Sequence, residues 1–160
     1  CLKSFSASTL FFAPYINSYS RFVSGAHAPT SATWGFENRT VAIRIPGGNT
    51  ASTRIEHRVA GGDANPYLLF TAIFGAALQG IKSKLKPPEP TTGNAYEKPN
   101  PASELLKNLP EAIEAINHSL ISGFFSEVIL HNLAATKAQE FKLFSQMSDH
   151  DTLLALIDTA

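Results

Sequence analysis

The chain's 160 residues carry 13 Lys plus Arg against 13 Asp plus Glu, a formal net charge of zero. That balance excludes the basic footprint of a nucleic-acid binder or of a protein that sits on an anionic membrane, while the length suffices for one domain with a core. Charged residues make up only 16%, against roughly 25% in a typical soluble domain, so the sequence predicts that part of the surface is covered, by further copies in an oligomer or by another domain.

Cys1 is the one cysteine; it excludes an internal disulfide, offers no zinc-ligand spacing and suits a reducing, cytoplasmic setting. Leu2-Lys3-Ser4-Phe5-Ser6 does not read as a signal peptide. The most apolar stretch, residues 67–81, is shorter than the roughly 20 residues of a membrane span. The first residue is Cys rather than Met, and the expectation is a chain that begins inside a longer polypeptide.

In chain order, residues 1–63 read mainly as strand. The alternating runs predict strands over 30–36, 40–45 and 53–59, with a turn at Pro46-Gly47-Gly48-Asn49 between the last two. In the third, the period of two puts Arg54, Glu56 and Arg58 on one face and Ile55 and His57 on the other. From residue 64 to 160 the texture is helical. Asn65 before Pro66 predicts a cap and first turn, for a helix running to about Leu85 that is apolar nearly all round and so buried. The Lys86-Pro87-Pro88-Glu89-Pro90 run stops it and opens an irregular loop to Pro101. Asn108 caps a helix starting near Pro110, a longer helix spans about 124–147, and Ser148-Asp149-His150-Asp151 starts a last short one.

Arg21, Arg39, Arg44, Arg54 and Arg58 fall within 38 residues, with Glu56 among them. Arginine's rigid fork of donors suits carboxylate and phosphate oxygens, and phosphoryl transfer to an anionic substrate needs such donors plus a carboxylate for a divalent cation. Spacing alone leaves this reading open beside a solvated, arginine-rich strand face. His57 reads as packed; His118, His131 and His150 read as surface residues and Tyr96 as a loop aromatic.

Four segments carry a resemblance. Asn17-Ser18-Tyr19-Ser20-Arg21-Phe22, Asn38-Arg39-Thr40-Val41-Ala42-Ile43-Arg44-Ile45-Pro46, Arg54-Ile55-Glu56-His57-Arg58 and Asn65-Pro66-Tyr67 resemble, in order and spacing, motifs of the glutamine synthetase family. The likeness runs through the C-terminal part of that family's catalytic domain. It implies an α+β fold, antiparallel strands followed by a helical C-terminal region, with an N-terminal β domain and an upstream catalytic region lying outside the chain. It implies an ATP-dependent ligase that joins glutamate to an amine through a γ-glutamyl phosphate, with Mg²⁺ or Mn²⁺, in a homo-oligomer that is a dodecamer in the family.

Residue by residue, the resemblance implies that Glu56 is a ligand of the metal beside the transferred phosphate. Arg21 and Arg58 would hold glutamate's carboxylates, Arg39 and Arg44 the phosphates of ATP and of the intermediate, and Arg54 the nucleotide side. Where ammonia-using members have a flap glutamate, this chain has His27, and an imidazole attracts ammonium less than a carboxylate does. The segments around Gly61-Gly62-Asp63 and Trp34-Gly35 resemble the γ-glutamylpolyamine synthetase branch, with His27 and Trp34 shaping a wider amine site. An ammonia-using glutamine synthetase and a non-catalytic structural or regulatory relative are the alternatives. One carboxylate cannot hold Mg²⁺ against its water shell, so the chain by itself is expected to be inactive.

Overall fold

A Phe-Ser-Ala-Ser-Thr-Leu-Phe-Phe run has neither a helical stripe nor strict alternation, yet it forms the first helix, α1 (Phe5–Phe12), of the computed structural model. Phe5, Leu10, Phe11 and Phe12 are all buried in one core cluster, so tertiary packing overrides a weak intrinsic preference. Ala13 stands before Pro14 at φ −142°, ψ 75°, as expected of a residue that a following proline pushes out of the helical region. The structure describes residues 1–97, 103–116 and 121–157; His118 and the end of the expected 86–101 loop lie outside them.

Residues 1–63 are therefore not mainly strand. Besides α1, a short 3₁₀ turn spans Ile16–Arg21, and the strands are brief: β1 (Trp34–Phe36), β2 (Ile43–Ile45) and β3 (Glu56–His57). They form a sheet in the order β1-β2-β3. The β2–β3 pair is antiparallel, with Arg44 opposite Glu56, but β1 and β2 run parallel, with Gly35 opposite Arg44. The α+β class holds; the sheet is mixed rather than wholly antiparallel. Parallel pairing at so short a separation needs a tight return loop. Asn38 makes it, its Oδ1 accepting from the Thr40 amide at 2.9 Å and the Thr40 hydroxyl at 2.6 Å. Its Nδ2 donates to the carbonyls of Thr91 at 3.1 Å and Gly93 at 2.8 Å, pinning the proline-rich loop beside β1. The beginning of the expected 30–36 strand pairs elsewhere, through a bridge between Ser31 and Glu104.

Helix α2 (Pro66–Lys82) starts as expected, with Asn65 Oδ1 accepting from the Tyr67 and Leu68 amides. It closes earlier than Leu85: Lys84 takes φ 49° and the Leu85 amide bonds back to the Gly80 carbonyl at 2.9 Å, a Schellman-type ending. The helix is not buried all round. Ala72, Gly75 and Ala76 face inward, whereas Tyr67, Phe70, Phe74, Leu78 and Ile81 are exposed. Helices α3 (Leu109–Ala115), α4 (Glu127–Phe144) and α5 (Asp149–Ile157) complete the chain. Asn108 caps α3 through the Glu111 amide, and Ser126 caps α4 through Ile129. Helix α1 packs on α2 and α3, and α3 on α4, so the helices build a core behind the sheet.

His57 faces that core. Its ring lies 5.0 Å from the Phe5 ring and 4.7 Å from that of Phe12. Burial pushes its pKa down to about 4. The fold thus favours the neutral ring. The stability that this contributes is present above the unfolded pKa of about 6.5 and is lost as pH falls through the folded value. Thermal melting should show stability declining between about pH 6.5 and 4, by up to about 3 kcal/mol, and His57→Phe should flatten that slope. An unchanged slope in the variant would assign the acid sensitivity to other groups.

Candidate functional site

Cross-strand neighbours on one face of an antiparallel pair bring their side chains together, and the β2–β3 register does this for Arg44 and Glu56. Arg44 Nη1 lies 2.9 Å from Glu56 Oε2. Two residues on and on the same face, Arg58 Nη1 lies 2.6 Å from Glu56 Oε1. A third partner escaped the sequence reading: Glu37, at the exit of β1, takes Arg44 Nη2 at 2.8 Å. The result is a chain of alternating charge, Glu37–Arg44–Glu56–Arg58. Arg58 extends it through Nη2 to the backbone carbonyl of His27 at 3.2 Å.

The arginines are the more enclosed members, their side chains 14% and 18% exposed against 31% for Glu56 and 56% for Glu37. Hydrogen bonds from Arg58, then from Arg44, hold the Glu56 carboxyl below its usual range against the opposing effect of burial. The Glu37 hydrogen bond, reinforced by that from Glu56, raises Arg44. Ion pairs this near solvent add little stability; what they fix is geometry. The Nε atoms of Arg21, Arg44 and Arg58 are buried without a hydrogen-bond partner among the described residues, so each guanidinium has an unsatisfied donor.

The other arginines stand outside this chain. Arg21 Nη2 donates to the carbonyls of Val59 at 2.7 Å and Phe12 at 3.3 Å, which ties the Asn-Ser-Tyr segment to the end of β3. Burial lowers its pKa, with Asp63 opposing. Arg39 is exposed in the return loop. Arg54 is also exposed, bonded to the Ser52 carbonyl at 3.3 Å, because the expected third strand begins only at Glu56. His27 is exposed at φ 62°. Trp34 Nε1 donates to the Pro88 carbonyl at 2.7 Å. Tyr96 is more than a loop aromatic: its hydroxyl donates to the Ala28 carbonyl at 2.9 Å, beside His27.

Among the described residues no group of three or more His, Cys, Asp or Glu side chains could hold a metal ion. Glu56 is the carboxylate at the centre of the cluster, with both its oxygens held by arginine. No helix among them is long and apolar enough to cross a membrane.

Comparison with known proteins shows the family. The family described as "Glutamine synthetase, catalytic domain" matches residues 1–153. A γ-glutamylethanolamide synthetase, GlnA4, of Streptomyces coelicolor is 41% identical over 144 residues, which are 88% of this chain and 30% of that protein. The γ-glutamylputrescine synthetase PuuA of Escherichia coli is 38% identical over 88% of this chain and 30% of its own. Type-1 glutamine synthetase 2 of Dictyostelium discoideum is 42% identical over 84% and 26%. A solved GmaS/ADP complex superposes with a TM-score of 0.79 at 28% identity, covering 97% of this chain and 37% of that one. The chain thus spans about a third or less of the length of these relatives.

The Tyr96 contact is testable without any substrate. Tyr96→Phe should cost about 1 kcal/mol, the usual worth of one hydrogen bond, and should speed amide hydrogen exchange across residues 23–28. Unchanged exchange there would show that Tyr96 does not hold the His27 loop.

Proposed function

This chain belongs to the glutamine synthetase family, and from that premise we propose that it is the C-terminal part of the catalytic domain of an ATP-dependent glutamate–amine ligase. The observation that carries the reading is the Arg44–Glu56–Arg58 cluster on β2 and β3, with unpartnered Nε donors on both arginines. A carboxylate is inert to amines until one oxygen becomes a leaving group. In the proposed reaction a γ-carboxylate oxygen of glutamate attacks the γ-phosphorus of ATP and ADP departs. The amine nitrogen then attacks the γ-carbonyl carbon, the C–O bond to phosphate breaks, and the nitrogen gives up a proton as the amide forms.

In this reading Arg58 and Arg21 orient glutamate by its carboxylates, Arg39 and Arg44 neutralise phosphate oxygens, and Arg54 meets the nucleotide side. Glu56 would supply one ligand to Mg²⁺ or Mn²⁺, an ion whose charge, when bound, offsets that of the transferring phosphate. The relatives named for ethanolamide and putrescine products, together with His27 at the flap position, favour an alkyl amine. The relative named as a glutamine synthetase supports ammonia as the second reading. The exposed aromatic stripe on α2, Tyr67, Phe70 and Phe74, supports assembly into a homo-oligomer that covers it.

In the full-length protein, Glu56→Ala should abolish turnover while the fold survives, measured as phosphate release beside a melting curve; full activity at saturating Mg²⁺ would remove Glu56 from the site. The amine is tested by competition among ammonium, ethanolamine and putrescine. The alkyl amines should win in kcat/KM, gaining roughly 0.8 kcal/mol per methylene buried, and His27→Glu should shift preference toward ammonium. A natural preference for ammonium would put the chain with the ammonia-using enzymes, and an unmoved preference in His27→Glu would take His27 away from the amine.

A further inference from the structure

We propose that Glu37 is a positioning residue for Arg44, holding its guanidinium in the orientation that meets nucleotide phosphate. The proposal rests on the ligase reading, which gives Arg44 that role, and adds a residue that none of the family-like motifs contains. Arg44 lies between two carboxylates that are anchored differently. Glu56 divides its oxygens between Arg44 and Arg58. Glu37 gives one oxygen to Arg44 Nη2 at 2.8 Å, and its other accepts the backbone N–H of Gly47. The Glu37 amide donates to the Ile45 carbonyl at 3.0 Å. Main chain and side chain of Glu37 are thus docked on the segment that immediately follows Arg44.

Two further observations show a built contact rather than a chance surface pair. Glu37 takes φ 49°, a left-handed conformation that non-glycine residues adopt only when their surroundings hold them there. A Cβ at Gly47 would stand 2.8 Å from Glu37 Oε1, so a side chain there would displace the carboxylate from its present position. Arg44 consequently has one partner fixed to the backbone of its own strand's turn, whatever Glu56 binds. A guanidinium is planar and its donors point in set directions. Fixing Nη2 therefore fixes where Nη1 and the buried Nε point.

The test uses the full-length protein, with ADP affinity by calorimetry and KM for ATP by phosphate release. Glu37→Gln keeps the length and an acceptor for the Gly47 amide and removes the charge facing Arg44. ADP Kd and ATP KM should both rise about tenfold, the low end for a hydrogen bond to a charged group because Glu37 is half exposed. KM for glutamate and the melting temperature should stay put. In an Arg44→Ala background, Glu37→Gln should add no further loss, the signature of action through Arg44. An unchanged Kd in Glu37→Gln overturns the proposal, as does an equal loss with Arg44 absent or a loss that only tracks a lowered melting temperature. A wild-type protein that binds ADP yet makes no γ-glutamyl amide would sink the ligase reading, and the ADP titrations would still decide Glu37. Absence of ADP binding by the wild type overturns both.

Discussion

The register that sets Arg44 opposite Glu56 across β2 and β3 is the constraint on which the rest depends. A slip of one residue would send every side chain of β3 to the opposite face. Glu56 would then point into Phe5 and Phe12, and His57 would take the arginines' place. The half-buried His57 and the ion-paired Glu56 are therefore two sides of one decision. The neutral imidazole wedged between phenylalanine rings locks the strand so that the carboxylate next to it can face Arg44 and Arg58. Stability on one face of β3 is what gives precision on the other.

From that pair, order spreads through backbone contacts rather than through more charge. Arg58 reaches the His27 carbonyl, and Tyr96 holds the Ala28 carbonyl. The exposed loop that carries His27 is thus fastened at neighbouring residues to the strand face and to the proline-rich loop. Asn38 fastens that second loop to the β1–β2 return. The loops around the cluster are long and are held by specific anchors: side chains bonded to backbone carbonyls, joined by backbone bonds such as that from the Thr91 amide to the Trp34 carbonyl.

Local chemistry was legible in the sequence; pairing partners were not. Asn65-Pro66, Asn108 and Ser148 announce helix starts because a cap needs only neighbouring atoms. Arg44, Glu56 and Arg58 were legible as members of one charged group. Parallel pairing of β1 with β2 was not, since it depends on a return loop closed by Asn38 to distant carbonyls. Helix α1 was hidden because its run, with Ser6, Ser8 and Thr9 among the apolar residues, follows neither the helical nor the strand period. Helix α2 misled in the opposite sense: its all-round apolarity predicted burial, yet Tyr67 and Phe74 are exposed, since no described residue covers that side. Glu37 precedes the Asn38-Arg39-Thr40 motif and was overlooked because its role comes from a left-handed backbone turn that no pattern of residue types displays.

In the proposed function, the arginines and the carboxylate of β2 and β3 serve the activation of glutamate's γ-carboxylate in a glutamate–amine ligase. The most direct measurement is isotope transfer in the full-length protein supplied with ATP, an alkyl amine and glutamate labelled with ¹⁸O in its γ-carboxylate. Activation through a γ-glutamyl phosphate places one labelled oxygen in each inorganic phosphate released, in step with formation of the γ-glutamyl amide. Amide formed while the phosphate stays unlabelled, or ATP hydrolysed with no amide, would contradict the account.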